Sequence, residues 1–443
     1  MKITTTDRGP PVAAGEAELG PRPRSGSKSN TALDANRDWQ KWSGAKDVIK
    51  ARDGQPPSLH TVKEILAAAE RHPFYAGHLV KGAPLEAQPI LTKGELYDRL
   101  QDFGKVPRPG TYWSPSGGTG GRSIYFPTDV GENRYARLVL ADRLKQAGVF
   151  GPDQVCLNVV VTGNLYRTQE LFTDFGERCG ATMLPAGNDQ SPDTLFEIAE
   201  HFHVNALCGS PDMMVLLAGA LEERGEKLNL DTIITGAATM HDAQRAYIRE
   251  HTGVKHFAEI FGSAECGVWA YKPPCLEGTR TFVYDPKMVH VEIVDPDQDG
   301  YGRVVVTHLI RKANPLVRYD TGDVGRLSPR IIDGRREHTL EFAGRHQRSF
   351  QLGNDSYELG DLEARFTTPV LQYQVVLSRD ESRWERAELR VVTAKLTPAQ
   401  ERRFKKSVEE VFDFTQIRFV DVDGLHRLPR SRKIPAIVDQ RGA

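Results

Sequence analysis

At 443 residues the chain has room for two or three domains, and 39% hydrophobic with 26% charged side chains is ordinary for a globular protein in water. A formal net charge of -1 excludes the basic footprint of a nucleic-acid or anionic-membrane binder. Five cysteines, an odd number at irregular spacings, argue against a disulfide framework and for reduced thiols in a cytoplasmic enzyme. No apolar run approaches a membrane span, and the first residues lack a signal-peptide core.

Residues 1–38 are rich in Pro, Gly, Ser and charge, which predicts a disordered tail. A folded body is expected from Trp39 and Trp42 onward. Ser58 reads as a helix cap, with Val62, Ile65, Leu66 and Ala69 repeating at helical spacing behind it. A second helix is expected after Thr92 and before Gly104, and a third over Asp129 to Gln146.

Between the last two lies Ser114 to Ser123, SPSGGTGGRS. Four glycines in five positions cannot hold a helix or a central strand. Such a loop can turn its amides inward around an anion, with the hydroxyls of Ser114, Ser116, Thr119 and Ser123 and the charge of Arg122 closing the ring. A mobile Gly/Ser surface loop is the other reading, and neither standard nucleotide-loop spacing fits.

From Val155 strand-like and helical runs alternate. Strands are expected at Val155 to Thr162, Asn205 to Cys208, Thr232 to Ile234 and His256 to Phe261. Helices are expected at Thr168 to Cys179, Met213 to Glu223 (capped by Ser210-Pro211) and His241 to His251. That alternation predicts a mainly parallel α/β sheet, with ligands beyond the carboxyl ends of its strands. From Arg280 to Ile310 the pattern becomes alternating β segments with turns, the mark of an antiparallel sheet or a small barrel. After Gly344 it restarts as a small α+β unit: strands at Leu371 to Leu377, Ala387 to Thr393 and Gln416 to Val422, and a helix at Pro398 to Val411. The expected division is therefore 1–38, 39–343 and 344–443.

Four segments join the loop in a fixed order: IFGSAE (Ile260 to Glu265), VRYDTGD (Val317 to Asp323), GRHQRSFQLGNDSYELGDLE (Gly344 to Glu363) and LPRSRKIPAIVDQR (Leu428 to Arg441). In this register the chain resembles the adenylate-forming superfamily of acyl-CoA synthetases, adenylation domains and luciferases. HPFYAGHL (His72 to Leu79) and PILTKGELYDRL (Pro89 to Leu100) resemble its phenylacetate–CoA ligase-like branch. The resemblance covers residue 60 or so to the C-terminus and implies a large N-terminal domain, with parallel sheets, helices and a small antiparallel barrel, and a small mobile C-terminal domain.

It also implies roles. Ser116, Gly117, Gly118, Thr119, Gly120 and Arg122 would cradle phosphate, although the family's lysine after the last glycine is replaced by Gly121, with Arg122 one position on. Phe261 would lie against adenine with Gly236, Ala237 and Ala238 as the opposite wall, and Gly262 and Ser263 would line the nucleotide. Glu265 would hold magnesium, a hard cation that takes carboxylate oxygen. Asp323 would anchor the ribose hydroxyls, with Asp320 nearby as a turn residue. Without the register, Phe261 reads as a core side chain and Glu265 as a solvated turn.

Arg345 matches the arginine beside the interdomain hinge, where the expected aspartate is absent and His346 and Gln347 stand. Lys433 matches the mobile lysine that reaches the reacting phosphate, in a segment that also reads as a plain basic tail (Arg427, Arg430, Arg432). Ala264 replaces the family's threonine. The acid pocket would be lined from Asn164 to Phe172 and from Cys208 to Val215, where Leu165, Tyr166 and Met213 suit a flat or aromatic acid. Cys156, Cys179 and Cys208 read as core fillers. His256, Cys266 and Cys275 lack the tight pair of a zinc site.

The implied activity is an ATP- and Mg2+-dependent ligase that adenylates a small, aromatic carboxylic acid and passes the acyl group to coenzyme A. Left open beside it are carrier-protein loading, nitrite activation for N–N bond formation in secondary metabolism, and a non-catalytic nucleotide-binding descendant. The expected partners are the small-molecule acid, with a carrier protein or a second copy of the chain open, and neither nucleic acid nor membrane.

Overall fold

A computed structural model describes residues 59–103, 110–115, 125–345, 349–352, 355–381, 384–412, 414–428 and 433–441. The tail, Trp39, Trp42, Ser58, the glycine-rich stretch Ser116 to Ser123, His346 and Gln347, and Arg430 and Arg432 all lie outside the described residues.

The first helix, α1 (Val62–Glu70), is capped by Thr61, whose hydroxyl accepts from the amide of Glu64 while Glu64 bonds back to Thr61. Its apolar stripe Ile65, Leu66 and Ala69 is buried, as the spacing predicted. Then come α2 (Lys93–Phe103) and a hairpin of β1 (Thr111–Pro115) and β2 (Tyr125–Asp129), the two strands that flank the glycine-rich stretch. Asp129 ends β2 and caps the next helix, α3 (Val130–Gln146).

The alternating region follows as β3 (Val155–Asn158), α4 (Thr168–Cys179), β4 (Thr182–Pro185), α5 (Pro192–His201), β5 (Ala206–Gly209), α6 (Pro211–Arg224), β6 (Thr232–Thr235), α7 (Asp242–Thr252) and β7 (His256–Ser263). Its strands are parallel in the order β4-β3-β5-β6-β7. The first strand is shorter than its valine run suggested. Asn158 ends the ladder because its side chain turns back to accept from the amide of Val160 and to donate to the carbonyl of Gln169. Ser210 holds the cap position of α6, but its hydroxyl makes no capping bond.

Beyond β7 run β8 (Gly267–Lys272), β9 (Thr281–Tyr284), β10 (Val289–Val294), β11 (Gly302–His308), β12 (Tyr319–Leu327), β13 (Arg330–Ile332) and β14 (Arg335–Arg345), all paired antiparallel. They add to β7 in the order β8-β9-β14-β12-β11-β10, so the antiparallel half and the parallel half form one twelve-stranded sheet. Among the described residues the antiparallel half does not close into a separate barrel, because β8 pairs directly with β7 and makes the ladder continuous.

The C-terminal part has its own four-stranded sheet. A hairpin of β15 (Ser349–Leu352) and β16 (Asp355–Glu358) leads through α8 (Leu359–Glu363) to β17 (Gln372–Arg379) and β18 (Glu385–Val392). Then come α9 (Pro398–Glu409), β19 (Gln416–Phe419) and β20 (Ile437–Asp439), giving the order β19-β18-β17-β20. Phe350, Leu359, Val375, Leu389, Phe404 and Phe412 fill its core. Leu371, Val392, Val422 and Leu425 instead pack into the cluster of α6 and α7, with Met213, Leu217 and Ile248. The docked face adds polar links: Gln244 donates to the carbonyl of Leu371 at 2.8 Å, and Arg427 pairs with Asp212 at 2.7 Å. Among the described residues no helix is long and apolar enough to cross a membrane.

Candidate active site

The carboxyl ends of β6 and β7 lie side by side. At the end of β6, Gly236 is buried while Ala237 and Ala238 are exposed, and Ala237 takes φ +71. A Cβ on Gly236 would lie 2.9 Å from the ring of Phe172, so this glycine lets α4 close against the strand. At the end of β7, Phe261 is half-buried with its edges against Trp269 (5.3 Å), Phe282 (4.8 Å) and Phe342 (5.6 Å). Phe261 is thus a core neighbour whose ring is only partly covered. The ladder shifts register between Phe261 and Gly262, where the chains approach so closely that a Cβ on Gly262 would meet the carbonyl of Gly267 at 2.1 Å. In the turn beyond, the hydroxyl of Ser263 accepts from the amide of Cys266.

Glu265 sits in that turn and is buried, not solvated. Its Oε1 accepts a 2.7 Å hydrogen bond from the Tyr319 hydroxyl, and its carbonyl accepts from the guanidinium of Arg311. Arg311 is itself buried and lies over the face of Phe126 in the β1–β2 hairpin. The next two amides, of Lys312 and Ala313, donate to Glu132 on α3 at 2.9 and 2.8 Å. One run of bonds therefore links the hairpin, α3 and the Glu265 turn. Burial is costly for a carboxylate that keeps one oxygen without a partner, and it pushes the Glu132 carboxyl up to about 7; nearby Asp129 adds to the rise and Arg311 opposes it.

Asp323 lies on β12, across from Arg345 on β14, and the two side chains pair at 3.3 Å. Burial raises the Asp323 carboxyl above its ordinary value, and the arginine opposes that rise. Asp320 lies within β12 rather than in a turn; its carboxylate accepts from the amide of Gly322 and pairs with Arg303 at 3.0 Å. The HPFYAGHL segment reaches the run just before this strand: Tyr75 donates to the carbonyl of Pro315 and accepts from the amide of Val317.

Lys433 lies in the C-terminal part, where its carbonyl accepts from the amide of Leu428. Its ammonium is pulled down to about 8, first by burial and then by the charge of Arg345, with Glu265 and Asp212 acting in the opposite sense. Lys433 therefore feels the charges of Arg345 and Glu265, although 168 positions separate Glu265 from Lys433 in the sequence, and Arg345 is in turn paired with Asp323.

Among the described residues no cluster of three or more acids, histidines or cysteines could enclose a metal ion. The buried carboxylate of Glu265 still suits magnesium, which is commonly held by one or two carboxylates together with substrate phosphates. In the segments expected to line an acid pocket, Phe172 and Met213 are buried, and Leu165 stands exposed at a turn where Asn164 and Leu165 both have positive φ. The residues read as core fillers, Cys156, Cys179 and Cys208, are buried, and the first and third bring their sulfurs to 3.1 Å. Cys266 is buried, while Cys275 and His256 are exposed.

Sequence reasoning missed Tyr319, Arg311 and Glu132. Tyr319 stands inside the VRYDTGD segment and was legible there as a tyrosine beside the two aspartates. The other two carry no local signal, because their partners lie 46 and about 180 positions away.

No family model matches the chain. It is 29% identical over 224 residues to a phenylacetate-coenzyme A ligase of Pseudomonas putida, covering 48% of this chain and 50% of that protein. It is 20% identical over 298 residues to an indoleacetate–lysine synthetase of Pseudomonas savastanoi, covering 66% of this chain and 71% of that protein. The chain thus spans about half the length of the phenylacetate–CoA ligase it matches. In fold it is similar to 2-hydroxyisobutyryl-CoA ligase in the postadenylation state, with a TM-score of 0.65 at 17% identity over 86% of this chain and 90% of that one. Against the same ligase in its thioesterification state the TM-score is 0.56.

Proposed function

We propose that the chain is an AMP-forming acid ligase of the phenylacetate–CoA ligase-like branch of the adenylate-forming superfamily, a reading supported by its similarity to a phenylacetate-coenzyme A ligase and by its fold. A small acid, aromatic in our reading, attacks the α-phosphorus of ATP; pyrophosphate leaves; and a thiol, coenzyme A, displaces AMP from the acyl-adenylate. The observation that carries the reading is the buried Glu265 carboxylate in the turn after β7, together with the 3.3 Å pair of Asp323 and Arg345 across β12 and β14 and the charges of Arg345 and Glu265 acting on Lys433.

Charge gathers on phosphoryl oxygens in such a transfer, so catalysis is positioning and electrostatics. Lys433 supplies a compact cation at the reacting phosphate. Asp323 accepts from the ribose hydroxyls, and Arg345 beside it opposes the rise that burial imposes on that carboxyl. Phe261 and Ala237-Ala238 flank the base. Magnesium, when bound, would neutralise phosphate charge, and Glu265 would hold it. Residues 39–343 form the nucleotide- and acid-binding body in this reading, and 344–443 the body that moves between the two half-reactions. The Ser116 to Arg122 loop is its phosphate cradle.

ATP–pyrophosphate exchange over a panel of aryl acids, amino acids and nitrite tests the acid. Lys433→Ala should abolish exchange and leave thioester formation from a supplied acyl-adenylate largely intact; equal loss of both half-reactions refutes the role of Lys433. An amine acceptor is the second reading, because one relative is named for joining indoleacetate to lysine. Offering coenzyme A and lysine to the same adenylate separates the two.

A further inference from the structure

Tyr319 has a ring that is fully buried among apolar side chains, where a phenylalanine would pack equally well. A hydroxyl carried into such a core needs a partner, and this one spends its bond on the buried Oε1 of Glu265, at 2.7 Å. The backbone that aims it is unusual. Arg318, immediately before, has φ +46, a left-handed conformation that an arginine adopts only under constraint. The constraint is visible. The Arg318 guanidinium pairs with Glu292 at 2.9 Å and donates to the carbonyls of Glu86 and Gln88. The backbone on either side of Tyr319 is bonded to Leu91, through Leu91 N to Arg318 O at 2.8 Å and Asp320 N to Leu91 O at 3.0 Å.

We infer that Tyr319 is a positioning residue: its hydroxyl fixes the torsion of the Glu265 carboxylate so that Oε2 is the oxygen offered to a divalent cation, with the strained Arg318 backbone holding the tyrosine in place. A carboxylate free to rotate offers either oxygen at varying angles, whereas magnesium demands near-ideal octahedral geometry. Groups that orient a metal ligand from behind commonly govern affinity by one or two orders of magnitude. This inference rests on the proposed role of Glu265.

The test is Tyr319→Phe, which removes one oxygen and keeps the ring, with Glu265→Gln alongside. Mn2+ is titrated by electron paramagnetic resonance in the presence of a non-hydrolysable ATP analogue, and affinity for the analogue is measured separately without metal. The expected result is about ten-fold weaker Mn2+ binding in Tyr319→Phe with metal-free analogue affinity unchanged. A purely structural role would move both affinities together. Should Tyr319→Phe fold poorly, Arg318→Lys, which keeps the charge but loses the fork, is expected to weaken Mn2+ several-fold in the same assay. Mn2+ affinity equal to wild type in Tyr319→Phe overturns the inference. Equal affinity in Glu265→Gln overturns it together with its premise. If the wild type supports no exchange with any acid, the ligase reading falls, yet the titration still decides what Tyr319 does for Glu265.

Discussion

The environment of Lys433 predicts an alkaline limit on adenylation that an ordinary lysine would not show. Burial and the neighbouring Arg345 bring its ammonium from an ordinary 10.5 down to about 8. In that environment about nine-tenths of the enzyme carries the charge near pH 7 and about one-tenth near pH 9, so pyrophosphate exchange should fall roughly nine-fold across that interval. An unshifted lysine would stay charged throughout and give a flat profile. The stability sign follows the same shift. Because the folded state disfavours the ammonium, Lys433 costs stability while it is charged, and the cost fades as the pH rises through about 8 and the folded-state amine deprotonates. The assay is exchange at saturating acid and ATP from about pH 6.5 to pH 9.5, with thioester formation from a supplied acyl-adenylate in the same buffers as control. Lys433→Arg should straighten the limb at a lower absolute rate, since arginine stays charged throughout. A flat wild-type profile, or an equal decline in both half-reactions, refutes the assignment of Lys433 to the adenylation step.

Two further expectations concern the frame around the site. Burial holds the Glu132 carboxyl near 7 against an ordinary 4.5, so the folded protein bears the full cost of its charge above about pH 7 and none below about pH 4.5, a cost on the order of 3 kcal/mol. Glu132→Gln, compared with wild type by thermal melting, should gain stability near pH 8 relative to pH 5; a difference that does not vary with pH would refute it. Gly262→Ala forces a methyl to 2.1 Å from a backbone carbonyl that no rotamer change can move away. It should cost about 2–4 kcal/mol and lower exchange activity, measured by denaturant unfolding and pyrophosphate exchange, and unchanged values for both would contradict the close approach at the β7–β8 bulge.

Much of the local structure was legible in the chain because its signals are local. The stripe of α1, the Asp129 cap of α3, the proline-initiated α6 and the alternation of short apolar runs with helices depend on neighbours three or four positions apart. The cap of α1 at Thr61 was missed because Ser58 offered an equally plausible hydroxyl, and only the reciprocal bond with Glu64 selects between them. The site residues Glu265, Asp323, Arg345 and Lys433 were reached through motif register, not from the chemistry of each residue by itself.

Composition and periodicity by themselves determined that strands would alternate with helices and that an antiparallel segment would follow. These are properties of side-chain spacing along a chain. Tertiary structure alone decided that the antiparallel strands extend the parallel ones into a single sheet, because ladder pairing joins residues without regard to their order. It alone decided that Glu265 is buried and tied to Tyr319, and that Lys433 loses part of its hold on its proton. Hydrogen-bond partnership and desolvation are set by what surrounds an atom in space, and a linear sequence does not carry that information.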